Sequence, residues 1–125
     1  MKLTRKEFEQ LVVSALRGLP RFIKGRMENV DVVIENQAPQ GLLSEMGLCS
    51  PFDLLGLYQG IPIDQRGFYY GNVLPDKITL FQIPIESSCK TREEIEERVR
   101  EVVIHEVGHY FGLDEERLKE LEEGK

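Results

Sequence analysis

Both histidines of this chain, His105 and His109, fall four residues apart, with Glu106 directly after the first. On an α-helix, residues i and i+4 stack on one face with Cβ atoms about 5–6 Å apart. Zinc bonds imidazole nitrogen at about 2.0–2.1 Å, so the pair can grip one ion without straining the helix. Glu106 is rotated by about 100° from His105, which puts its carboxylate beside the metal. There it can take a proton from a metal-bound water, the general-base role in metal-assisted hydrolysis. A catalytic zinc normally takes three protein ligands and keeps one open position. Gly112, three residues past His109, marks a left-handed turn that ends the helix and swings the following side chains back. Three of those side chains, Asp114, Glu115 and Glu116, are carboxylates able to ligate zinc.

His-Glu-x-x-His-x-x-Gly-x-x followed by a ligand is similar to the metzincin pattern, and counting from His105 along that pattern puts the third ligand at Glu115. More narrowly, the chain resembles the bacterial family of minimal zincin-like metallopeptidases. Leu-Leu-Gly-Leu-Tyr-Gln-Gly at 54–60, Pro-Asp-Lys-Ile-Thr-Leu-Phe at 75–81 and the metal motif with Asp114-Glu115-Glu116-Arg117-Leu118 carry the likeness. The resemblance implies a zincin-like fold, a Zn²⁺ ion on His105, His109 and Glu115, Glu106 as catalytic base, and an extended peptide or protein substrate. Two departures stand out. The third-ligand position usually carries histidine or aspartate in that family, and no methionine follows the motif to form the Met-turn of larger metzincins.

Three function classes follow. The first is a zinc peptidase in which water, activated by the ion and Glu106, attacks a peptide carbonyl. The second is a zinc-stabilised binding module without turnover, for which the missing Met-turn speaks. The third is a metal-dependent endoribonuclease, since bacterial nucleases of rRNA maturation use a related histidine pattern; Glu106 and the local acidity argue against it. No Gly-x-Gly-x-x-Gly, P-loop or Gly-x-Ser-x-Gly is present, which removes support for dinucleotide, phosphate or serine-nucleophile chemistry.

Charge agrees with a peptide partner. The net charge is −6, and residues 1–90 are balanced, so the excess lies in residues 91–125 around the proposed site. That region should repel phosphates, so no nucleic-acid partner is expected. No apolar run approaches the roughly 18 residues of a membrane span, and no apolar core follows the basic N-terminal residues as in a signal peptide. Cytoplasm is the expected compartment, with no membrane partner, and the sequence carries no signal for an oligomeric state. Cys49 and Cys89 lack metal-site spacing and are expected reduced there. Cys89, beside Lys90 and a helix start, has a thiolate-favouring setting, against which stands the plainer role of a small buried apolar group.

At 125 residues, the chain is expected to be one domain, 1–125. Thr4 with Glu7 forms a capping box, and Phe8, Leu11, Val12, Ala15, Leu16 and Leu19 recur at helical spacing, predicting a helix over 5–18. A further short helical turn is expected over 21–28. Val30, Val32 and Ile34 predict a strand over 30–35. Residues 36–53, with two prolines and two glycines, read as a long loop. A second strand is expected over 54–59, then a loop to Asp76 whose Phe68-Tyr69-Tyr70 run could pack or reach the cleft. Residues 77–83 form the third strand, and Pro84 suggests that it lies at a sheet edge able to pair with a peptide. A second capping box, Thr91 with Glu94, opens the motif helix over 92–111, and 114–123 closes the chain as a short helix with Leu118 and Leu121 inward. The expected fold is α+β: a small twisted mixed sheet packed on the N-terminal helix and the motif helix.

Overall fold

The computed structural model describes residues 1–60 and 75–123. Its fold is α+β, with six helices and three strands among these residues. Helix α1 (Arg5–Arg17) begins at the expected capping box: Thr4 Oγ1 accepts from Glu7 N–H, and Glu7 in turn accepts from Thr4 N–H. Its buried face is Phe8, Val12 and Ala15, the stripe set by 3.6-residue periodicity. Helix α2 (Arg21–Arg26) follows after Pro20, and strand β1 (Val30–Glu35) has the expected bounds.

Residues 36–53 are not simply a loop. Helix α3 (Gln40–Glu45) starts after Pro39, and a 3-10 turn spans Pro51–Asp53. Each is too short to display a helical period, so composition alone reads as irregular. Strand β2 (Gly56–Gln59) starts two residues later than expected, and strand β3 (Asp76–Phe81) stops two earlier.

The edge assignment for residues 77–83 is corrected by the sheet, whose order is β1-β3-β2. Strand β3 is central: it runs parallel to β1, from Val30↔Asp76 to Glu35↔Phe81, and antiparallel to β2, from Gly56↔Leu80 to Gln59↔Lys77. Pro84 does not belong to the strand at all. It lies in helix α4 (Gln82–Ser87), within the first turn, where a missing N–H is tolerated because no intrahelical acceptor awaits it. Helix α4 is anchored by its polar side chains: Leu3 N–H and Gln82 Nε2 both donate to Glu86 Oε2, and Gln82 Oε1 accepts from Arg5 Nε.

The motif helix α5 (Arg92–Tyr110) packs against α1, α2, α4, β2 and β3. Its Ile95, Val99, Val103 and Val107 meet Phe8, Val12, Ile78 and Leu80 in the main core. Alternate side chains of a strand point to opposite faces. Phe81 and Leu57 accordingly join a second, smaller cluster with Ala38, Leu43 and Leu54. The start of α5 departs slightly from the expected capping box. Thr91 accepts from Glu94 N–H, but Glu94 reaches back to Lys90 N–H rather than to Thr91. Helix α6 (Glu115–Glu122) folds back onto α5 and buries Leu118 and Leu121. No described helix is long and apolar enough to cross a membrane.

The N-termini of α1 and α5 are tied together by Arg92, whose guanidinium lies 2.6 Å from Glu7 Oε2. The backbone N–H of Thr4, with this guanidinium second, pulls the Glu7 carboxyl down from its ordinary 4.5 to about 2. A depressed carboxyl stabilises the fold fully above its unfolded pKa and loses that contribution as pH falls through the folded value. Glu7→Gln should therefore melt earlier than wild type at pH 7, with the gap closing between pH 4.5 and 2. Thermal melts across that window check it, and a gap independent of pH would refute the charge-based account.

Candidate metal centre

His105 and His109 lie on one face of the last two turns of α5, their ring centroids 5.7 Å apart. The helix ends at Phe111. Gly112 then takes φ +80°, Leu113 N–H bonds Gly108 O, and Gly112 N–H bonds His109 O. These two bonds satisfy carbonyls that a helix end leaves open, and the left-handed residue between them reverses the chain, as the glycine predicts. The reversal is completed by close packing. A Cβ at Gly108 would overlap Leu118 Cδ2, so glycine there lets α6 lie directly against α5.

Of the three carboxylates beyond the turn, the structure brings one to the histidines. Glu115 Oε1 lies 2.7 Å from His109 Nε2, and its Oε2 lies 3.8 Å from His105 Nδ1. Among the described residues, His105, His109 and Glu115 form a group whose donor atoms all lie within 4.8 Å of one another. Asp114 is engaged elsewhere: it is the N-cap of α6, and its Oδ1 accepts from Arg117 N–H at 2.9 Å. Two imidazoles and a carboxylate match the ligand chemistry of catalytic zinc sites, so the residues present fit that ion.

Glu106 stands apart from this group, as its rotation on the helix requires. Its Oε1 accepts from Tyr58 N–H at 3.2 Å. In an antiparallel pair, alternate residues turn their backbone groups toward the partner strand. Leu55 O accepts from Phe81 N–H, which puts odd-numbered residues on the β3 side and turns Tyr58 N–H to the outer edge of β2. Half-burial, the largest influence, pushes the Glu106 carboxyl above its ordinary range; the Tyr58 N–H and the charges of His109 and His105 pull the other way.

Neither Tyr58 nor Glu122 stood out in the sequence. Strand β2 reaches α5 because position 56 is glycine: a Cβ there would run into Val102 Cγ1 and crowd Thr79 O. A glycine inside a strand pattern is the available signal of such close approach. The Tyr58 ring then stacks on Tyr110, centroids 4.1 Å apart, and its hydroxyl donates to Asp76 Oδ2 at 2.6 Å. Glu122, on the last turn of α6, lies against His105 Nε2 through its Oε1. No local spacing announces that contact.

Beside the histidines, a cavity of about 330 Å³ runs between β2 and α5, lined among others by Leu54, Gly56, Val102, His105 and Glu106. Cys49 is exposed and Cys89 buried, and both are free; Cys89 takes the plainer role in the main core. The Phe68-Tyr69-Tyr70 run lies outside the described residues.

No curated protein matches the chain by sequence. A family model described as Zincin-like metallopeptidase matches residues 27–125, from the end of α2 through the sheet, the motif helix and the turn beyond it. With most of the chain matched and two imidazoles facing a carboxylate across the Gly112 turn, the protein belongs to the zincin-like metallopeptidase family.

Proposed function

We propose that the protein is a zinc-dependent peptidase in which His105, His109 and Glu115 hold the ion and Glu106 is the general base. The observation that carries this reading is the division of labour at the end of α5. Three donor groups converge within 4.8 Å, while the fourth acidic or basic group of the motif, Glu106, is held off them by the Tyr58 N–H. When bound, the ion supplies a Lewis acid that acidifies water and polarises a carbonyl oxygen. Glu106 accepts a proton from water as its oxygen adds to the carbonyl carbon, then delivers that proton to the amine nitrogen as the C–N bond breaks. Half-burial raises the proton affinity of Glu106, which suits a group that must take a proton and pass it on.

The substrate is an extended peptide lying along the outer edge of β2. That edge takes the role the sequence assigned to residues 77–83, because β3 is flanked on both sides. Main-chain pairing there aligns the peptide, and the cavity beside His105 receives one of its side chains. The acidic excess of residues 91–125 favours a peptide over a phosphate-bearing chain.

The test uses purified full-length protein, elemental analysis and a library of proteome-derived peptides. About one Zn²⁺ per chain is expected, with cleavage that a chelator abolishes and added zinc restores. A chain without zinc would refute the site. A zinc-loaded chain that cuts no peptide would favour a binding module, and cleavage of RNA alone would favour a nuclease.

A further inference from the structure

The cavity between β2 and α5 differs in character between its walls and its mouth. Arg98, Val102, His105 and His109 follow one another at helical spacing, so the face of α5 that carries the two histidines continues for two turns toward the helix start. Leu54 and Gly56 lie opposite that stretch, and together with Val102, all three buried, they make the walls apolar. His105 and Glu106 border the same cavity, so whatever enters it lies beside the proposed reacting groups. The other charged residues of its lining are Asp53, at the end of the Pro51–Asp53 turn, and Arg98 and Glu101 on α5. Their exposure puts them at the mouth. Arg98 Nε lies 3.5 Å from Glu101 Oε2, with the side chains 39% and 45% exposed, and a pair so open to water holds weakly. No ion pair among the described residues engages Asp53.

We propose that this cavity is a specificity subsite for a lysine or arginine side chain of the peptide substrate, with Asp53 and Glu101 as the residues that select it. This rests on the peptidase reading and narrows its substrate class. Its volume, about 330 Å³, lies at the lower end for binding pockets and suits one long side chain. Lysine and arginine lay an apolar stem along apolar surface while the cationic tip stays in water. Leu54, Gly56 and Val102 match the stem, and the two mouth carboxylates match the tip. Two carboxylates against one guanidinium leave the mouth negative, and low-dielectric walls focus that field on an entering cation. An acidic side chain meets the reverse, since its one cation, Arg98, is already shared with Glu101. An apolar side chain gains the walls and leaves Asp53 unanswered.

The experiment offers a randomised peptide library to the full-length protein in the presence of zinc and reads two things: the residues flanking each bond that wild type cuts, and the peptides that Glu106→Gln retains uncut. Wild type should favour lysine or arginine over leucine and glutamate by at least roughly tenfold, the low end for hydrogen bonds to charged groups, at one position counted from the cut bond. Asp53→Asn combined with Glu101→Gln should lose that preference. Arg98→Gln, which removes the cation of the mouth, should sharpen it, and Asp53→Lys with Glu101→Lys should turn it toward aspartate and glutamate. Thermal melts check that each variant compared is folded. A preference for leucine or glutamate in wild type, or a basic preference that survives the double substitution, would overturn the proposal. So would a basic preference spread evenly over all positions, which would mark the long-range field of the acidic residues 91–125 instead. If wild type takes up no zinc or cuts nothing, the peptidase reading fails. Enrichment of basic peptides by Glu106→Gln, and its loss on adding the double substitution, still decides the subsite, so the two failures are distinguishable.

Discussion

Replacing Glu106 with glutamine leaves zinc bound and the fold intact while peptide hydrolysis falls by at least roughly a hundredfold, the usual scale for removing a general base. Glutamine matches the size of the side chain and can still accept from Tyr58 N–H, so geometry is preserved and only proton transfer is lost. The loss should appear in kcat, because the base acts in the chemical step and contributes little to ground-state binding. Stability should move in the opposite direction. A carboxyl whose folded pKa lies above its unfolded value destabilises the fold when charged, and that cost fades as pH falls through the folded pKa. The zinc-free Glu106→Gln protein should therefore melt no lower than wild type at neutral pH. Undiminished cleavage would remove Glu106 from the mechanism, and lost zinc would make it a ligand.

The second large effect separates neighbours. Glu115→Ala removes the only carboxylate that faces both histidines among the described residues. It should weaken zinc affinity by more than the roughly 10–100-fold typical of outer-shell losses. Asp114→Ala removes the cap on Arg117 N–H and should cost about 0.5–2 kcal/mol of stability with zinc retained. Chelator titration and melts of both variants, with and without zinc, distinguish the roles. The reverse pattern would move the third ligand to Asp114.

The parts of this site that were legible in the sequence are local. His105, His109 and the Gly112 turn follow from helix periodicity and from the left-handed residue that a reversing chain requires, so spacing along eight residues specifies their arrangement. The same holds for α1, whose cap and apolar stripe are contiguous. The contacts of Tyr58 with Glu106 and of Glu122 with His105 depend on how distant or folded-back elements pack; Gly56 is the one residue that signals the first, and no residue type marks the second. Sheet order was misread for a related reason. Pro84 reads as the residue that ends an edge strand over 77–83, whereas a helix begins immediately after Phe81 and absorbs the proline in its first turn. Helices α3 and α4, six residues each, are too short for periodicity to reveal and owe their order to tertiary packing.

On the proposed zinc site, the packing of Leu118 over Gly108 couples metal binding to local order. Helix α6 has eight residues, fewer than an isolated helix needs to persist in water. It exists because Leu118 and Leu121 are docked on α5, and the same docking sets Glu115 before the histidines. An ion that binds only the docked arrangement deepens that state by mass action. On the proposed site the order of the C-terminal corner is linked to zinc activity, and because Leu118 and Leu121 share one core with Phe8, Ile78 and Leu80, that link reaches the core that α1 and the sheet also use.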